Sequence, residues 1–215
     1  GLKAADLARP EGLAALKPLT RAQVQAKDPP IFCPTVPKGH APTHRVNTSG
    51  STGEPVIVER TAVNRLFWQA MTMRYHFWAE PDFSGRICSI RANMAAFGEV
   101  KDWGAPASYF FRTGPGLLVD IEADIGAQID QIAAFGANTL IVYPSNLVGL
   151  LDELDARGQD LPSLRQVRTI GETVPEGLSE RVKERLGASL YDCYSSEELG
   201  YIGLQCPESG LHHLM

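Results

Sequence analysis

Residues Arg45–Glu59 read RVNTSGSTGEPVIVE, a succession of Asn, Thr, Ser, Gly, Ser, Thr and Gly followed by a proline and a β-branched run. Short polar side chains bond back to nearby backbone and glycine accepts positive φ, so one reading is a solvated bend. The other is an anion cradle. Glycines let backbone N–H groups converge without side chains in the way, and hydroxyls add further donors. Ser49, Gly50, Ser51, Thr52 and Gly53 supply both kinds of donor. Gly50 and Gly53 stand too close for GxxxxGK[ST], no lysine follows, and GxGxxG does not occur. Composition alone leaves both readings open.

Upstream, the prolines 29, 30, 34, 37 and 42 forbid helix and central strand, which predicts an N-terminal arm and extended connector over residues 1–45. Downstream, the punctuation becomes regular. VIVE (56–59), RICSIR (86–91), GLLVDIE (116–122), TLIVYP (139–144), VRTIGE (167–172) and SLYDCY (189–194) read as strands. A helix is expected from Ala62 to about Ala79, capped by Thr61. Another carries Ile125, Ile129, Ile132 and Phe135 on one stripe and ends at Gly136. Ser145 is expected to cap NLVGLLDELDARG, and Pro175 to open a helix that closes at Gly187. Strands alternating with such helices imply βαβ crossovers and an α/β fold, with a parallel-rich sheet flanked by helices over residues 46–215. In such sheets ligands bind beyond the carboxyl ends of the strands. That singles out the loops Thr48–Pro55, Gly171–Val174 and Tyr194–Gly200.

Composition excludes several classes. The chain has 215 residues, 44% hydrophobic and 21% charged, as in an ordinary globular protein. A net charge of −5 offers no basic field for a nucleic acid. No apolar run approaches the ~18 residues of a membrane span, and GLKAADLARPEG lacks a secretory apolar segment, which together predict a cytoplasmic protein. Cys33, Cys88, Cys193 and Cys206 are widely spaced without CxxC and read as reduced thiols. No GxSxG elbow marks a serine hydrolase.

The segment Thr48–Pro55, TSGSTGEP, resembles the phosphate loop of the adenylate-forming (AMP-binding) superfamily, whose pattern is [ST]SG[ST][ST]GxP. All of its positions match; the lysine often found beside it is replaced by Glu54 and Val56. Tyr194-Ser195-Ser196-Glu197-Glu198 is similar to the family's YGxTE block, with Tyr194 and Glu198 kept, Ser195 in place of glycine and Glu197 in place of a hydroxyl residue. TIGETV, through Gly171 and Glu172, is similar to the strand-end GGE or GAE segment. YIGLQCPESGLHH and LIVYPSNLVGLLDEL resemble the phenylacetate-CoA ligase and coenzyme F390 synthetase branch.

The resemblance implies an acid–thiol ligase. A small carboxylic acid attacks the α-phosphorus of ATP, pyrophosphate leaves, and a thiol, with coenzyme A as the expected acceptor, takes the acyl group. Thr48, Ser49, Gly50, Ser51, Thr52 and Gly53 would cradle phosphates. Gly171, Glu172, Tyr194, Ser195 and Ser196 would hold the nucleotide, with Tyr194 packed on adenine. Glu198 would be the catalytic acid residue that ligates Mg²⁺, a hard cation suited to carboxylate oxygen. Family members run to about twice this length or more, so the chain is expected to be an N-terminal fragment, inactive alone. Glu197 and the missing loop lysine leave a catalytically dead nucleotide-binding or interaction module as the alternative.

Other residues carry expectations of their own. Tyr143 and Ser145, at a strand end, are candidates for the acid pocket. Trp68, Trp78, Phe67, Tyr75 and Phe77 line either an acyl pocket or the core. Cys206, His212 and His213, spaced C-x5-H-H, hold Zn²⁺ if a further ligand such as Cys193 or Cys33 joins them; otherwise they belong to a loop of hydrogen-bonded histidines. The assembly is open, a homodimer among the alternatives.

Overall fold

The computed structural model describes residues 10–25, 35–47, 56–92 and 94–215. The glycine-rich loop, Thr48–Pro55, and Cys33 lie outside the described residues. The chain divides into two units, residues 1–63 and 64–215.

In the first unit, α1 (Pro10–Ala14) and α2 (Arg21–Gln25) precede a hairpin of β1 (Thr43–Asn47) and β2 (Ile57–Thr61). The hairpin is antiparallel, with Thr43 opposite Thr61 and Asn47 opposite Ile57. Thr43 Oγ1 donates to Glu59 Oε1 at 2.8 Å across it. β1 falls in a stretch with no sequence periodicity; pairing with β2, rather than its own residues, makes it a strand. The last pair of the ladder is Asn47 with Ile57.

The second unit begins within the long helix α3 (Ala62–Trp78). It continues through β3 (Ile87–Arg91), β4 (Gly98–Val100), α4 (Ala107–Phe110), β5 (Gly116–Asp120), α5 (Ile125–Phe135), β6 (Thr139–Val142) and α6 (Pro144–Arg157). β7 (Gln166–Thr169), α7 (Leu178–Leu186), β8 (Ser189–Ser196), β9 (Gly200–Gln205) and β10 (His212–Leu214) complete it. Among the described residues the strands form one sheet in the order β10-β9-β8-β7-β6-β3-β5-β4. β8, β7, β6, β3 and β5 run parallel, and β4, β9 and β10 add antiparallel edges.

Side chains alternate across a strand, and β7 shows what that does here. Val167 points into a core with α5, α6 and α7 that includes Ile90, Val119, Ile129, Leu140, Leu150 and Leu154, each no more than 1% exposed. Its neighbour Arg168 points to the opposite face, where its Nη1 meets His76 of α3 at 2.7 Å. On that face Tyr75 of α3 packs with Cys193 and Leu204 and donates its hydroxyl to the Tyr191 carbonyl at 2.9 Å. Helices therefore cover both faces, and the C-terminal ends of the parallel strands meet along one edge.

The helix ends follow local chemistry. The Asp124 carboxylate accepts the Gly126 and Ala127 amides, and α5 stops at Gly136, whose φ of +67° suits the left-handed residue that closes a helix. Two boundaries differ from the sequence reading. α6 opens on Tyr143 as cap with Pro144 at its first position, because proline lacks only an N–H that the first turn cannot use. Ser145 is thereby moved inside the helix. α7 begins at Leu178, since Pro175 to Gly177 form a turn in which the Leu178 amide reaches the Pro175 carbonyl.

Candidate functional site

At the carboxyl ends of β7 and β8, a cavity of about 540 Å³ is lined by Gly171, Glu172, Thr173, Val174, Asp192, Cys193, Tyr194, Ser195 and His212. Its first wall is the loop after β7. Gly171 has φ +75°, and a Cβ placed there would stand 2.9 Å from the Tyr143 ring, so any larger residue is excluded by strain and by space. Glu172 accepts the Ser145 N–H at 2.8 Å and the Ser145 hydroxyl at 3.0 Å. The carboxylate thus sits on the free amides at the start of α6, where the helix dipole favours negative charge. Tyr143, Ser145, Gly171 and Glu172 form one connected group in which the loop is pinned to the helix. The Ser145 hydroxyl is engaged inside the protein.

The second wall is the end of β8. The pairing of β8 with β9 shifts register between Tyr194 and Ser195, a bulge of the kind that re-aims a side chain beside a site. Tyr194 is 61% exposed at the cavity. Asp192 lies level with Thr169 of β7, and its carboxylate accepts the Thr169 hydroxyl at 2.5 Å while its other oxygen meets His212 Nε2 at 3.0 Å. Gln205 Oε1 accepts the Asp192 amide at 2.9 Å. Sequence reasoning missed this group, because its members lie on four strands that only the register of the sheet brings together. Ser196 Oγ accepts the Leu199 amide at 3.1 Å within the turn of the β8–β9 hairpin. Glu198 stands exposed in that turn, and Glu197 is half-buried.

Polar groups behind the edge hold the loops. Gln128, fully buried, donates to the carbonyls of Asp120, Ile121 and Ala123 and accepts from Asn146 at 3.0 Å, tying the loop after β5 to α6. Under α3, Arg168 donates to His76 Nδ1 and to Gln166 Oε1. Arginine has no acceptor, so His76 must accept through a neutral ring; burial and the neighbouring Arg168 charge push its pKa down to about 3.

The zinc expectation finds no ligand set among the described residues. Consecutive residues of β10 face opposite ways: His212 turns to Asp192, while His213 packs edge-on against Trp78 at 5.3 Å. Among the described residues no group of three or more His, Cys, Asp or Glu converges. Cys206 lies in the turn before β10, where the Ser209 hydroxyl, the amides of Ser209 and Glu208 and the His213 ring hold its pKa down at about 7. Cys88 and Cys193 are buried thiols, as expected. The aromatic residues of α3 divide. Tyr75 is buried, and Trp68 packs on Tyr201 at 5.3 Å. Phe77 is exposed and lines a second, apolar cavity of about 530 Å³ with Leu66, Met73 and Phe111. No helix among the described residues is long and apolar enough to cross a membrane.

A mixed, mostly parallel sheet with helices on both faces is the large-domain fold of the adenylate-forming ligases, the superfamily whose motifs the sequence resembles. An anthranilate CoA ligase, AuaEII, solved with anthranoyl-AMP, superimposes with a TM-score of 0.60 at 17% identity, over 78% of this chain and 32% of that one. A 2-hydroxyisobutyryl-CoA ligase, solved in an open conformation with 2-HIB-AMP and CoA, gives 0.57 at 17% identity over 78% and 36%. In sequence, the chain is 29% identical over 184 residues to enterobactin synthase component F of Escherichia coli O157:H7, spanning 77% of this chain and 13% of that protein. It therefore spans a small part of the curated relatives that it matches. No protein-family model matches the chain.

Proposed function

We propose that the chain forms the nucleotide-binding part of an AMP-forming acid–thiol ligase that adenylates a small carboxylic acid and passes the acyl group to coenzyme A. The observation that carries this reading is the meeting of Gly171 and Tyr194 in one cavity, across the ends of two adjacent parallel strands. A volume of about 540 Å³ lies within the ~300–1,000 Å³ range of small-molecule sites. The open backbone of Gly171 offers a flat surface to adenine, and the exposed Tyr194 ring offers a stacking partner. Ser195 and Ser196 follow on the same strand, on the way to the hairpin turn.

In the proposed reaction a substrate carboxylate oxygen forms a bond to the α-phosphorus of ATP as the bond to the β-phosphate oxygen breaks and pyrophosphate departs. Thr48 to Gly53 would donate amide and hydroxyl groups to the phosphates, the preorganised donors that phosphoryl transfer requires. Glu198 would hold Mg²⁺, whose charge offsets that of the phosphates when it is bound. The YIGLQCPESGLHH and LIVYPSNLVGLLDEL segments favour the phenylacetate-CoA ligase-like branch and hence an aryl-substituted acid.

A second reading is a nucleotide-binding module without catalysis. It is favoured by Glu197, a half-buried carboxylate where the family places a hydroxyl donor. Acid-dependent exchange of pyrophosphate into ATP by the full-length gene product separates the two. The ligase reading expects exchange with at least one acid of an aryl and aliphatic panel, and its loss in Glu198→Ala without change in melting temperature. Nucleotide binding without exchange supports the module; absence of nucleotide binding contradicts both.

A further inference from the structure

The carboxyl edge of the sheet carries a cation, Arg91, that makes no ion pair with the described residues. Arg91 is the last residue of β3. Ser89 pairs with Ile141 in the parallel register, so Arg91 comes level with Tyr143, on the sheet face that also carries Arg168. Tyr143 in turn lies against Gly171 of the cavity loop. Burial acts most on the Arg91 guanidinium, followed by Tyr143, Tyr201 and Cys193, none of them a carboxylate. Its cross-strand neighbour, Asp120, turns an oxygen to the Glu122 amide at 3.0 Å. Among the described residues the Arg91 side chain makes no hydrogen bond or ion pair. It is half-buried, and withdrawal from water holds its pKa below the ordinary arginine value.

A charge kept from water is costly unless it is paired. The position also has the topology of a ligand site. From β3 the chain moves to β5 on one side; from β6 it moves through α6 to β7 on the other. In open α/β sheets a crevice opens outside the carboxyl ends where neighbouring connections diverge. Arg91 and Tyr143 stand at the two ends that flank that point.

We propose that Arg91 selects a substrate acid bearing a second carboxylate, which it pairs while the first carboxylate reacts. This rests on the adenylation reading and narrows it. The reacting carboxylate loses its charge to the new bond with the α-phosphorus, and a guanidinium clamped on it would lower its nucleophilicity. A second carboxylate keeps its charge through adenylation and thioester formation, so only it remains a partner throughout.

Calorimetric titration of the protein with matched acids, phenylacetate against benzene-1,4-diacetate and hexanoate against adipate, tests this in the presence and absence of ATP–Mg²⁺. A charge-assisted pair should make at least one diacid about tenfold tighter than its monoacid. Arg91→Met should erase the preference, and Arg91→Lys should keep part of it. Equal or tighter binding of both monoacids by the unaltered protein, no binding of any of the four, or a preference that survives in Arg91→Met overturns the proposal. ATP–Mg²⁺ binding recorded alongside keeps the outcomes apart. Nucleotide binding without diacid preference removes the role of Arg91 alone, and absence of nucleotide binding removes the adenylation reading.

Discussion

The carboxylate of Glu172 accepts both the backbone N–H and the hydroxyl of Ser145, at 2.8 and 3.0 Å. The loop that follows β7 is thereby fastened to the first turn of α6, and Gly171 is held against Tyr143. Glu172 acts through the loop it positions.

Removing that fastening should loosen the cavity wall. Glu172→Ala is expected to lower stability by about 1 kcal/mol, as loss of a helix N-terminal acceptor does, and the melting temperature by roughly 3 °C. ATP affinity should fall several-fold. Glu172→Gln keeps an oxygen acceptor and should lose less on both counts. Thermal unfolding and nucleotide titration of the two variants check this.

The buried His76 gives stability a pH dependence of known sign. Its pKa in the folded protein is about 3, below the ordinary 6.5. Below about pH 6.5 the unfolded chain takes up a proton that the folded chain refuses, so the contribution of neutral His76 is complete above 6.5 and is lost as pH falls toward 3. The slope approaches about 1.4 kcal/mol per pH unit. Denaturant unfolding of the unaltered protein and of His76→Gln, which keeps an acceptor for Arg168, should show a shallower loss of stability between pH 6 and pH 4 in the variant.

Thiol chemistry should divide the described cysteines. Donors from Ser209, Glu208 and His213 hold Cys206 at about 7, whereas burial pushes Cys88 and Cys193 up to about 12. Since the thiolate is the nucleophile, iodoacetamide at pH 7.5 should label Cys206 in the folded protein and reach Cys88 and Cys193 only after unfolding. Peptide mass spectrometry reads the order.

The central strands and α5 were legible because each obeys a local rule. TLIV is an unbroken apolar run, and IGAQIDQIAAF carries a helical stripe between an aspartate cap and a glycine stop. β1, β4, β9 and β10 had no such signal, being short or edge strands whose hydrogen bonds come from distant partners. Motifs indicated Gly171 and Tyr194 as one site, and the sheet brings them to one cavity. The Asp192–His212 contact and the bed of Arg168 on His76 were not legible, since they span 20 and 92 residues of sequence and depend on register and on the packing of α3. Arg168 in particular is 1% exposed, a burial that no local pattern in its strand announces.

The central claim is that the cavity between the ends of β7 and β8 takes an adenine nucleotide, with Tyr194 as its stacking partner. Titration of ATP–Mg²⁺ into the unaltered protein and Tyr194→Ala tests it directly. The side chain is largely exposed, so its truncation should leave the fold and melting temperature unchanged. Stacking on an aromatic ring contributes about 1–3 kcal/mol, so saturable binding by the unaltered protein and a loss of roughly tenfold in the variant are expected. No binding at millimolar nucleotide, or equal binding by the two proteins, would contradict the claim.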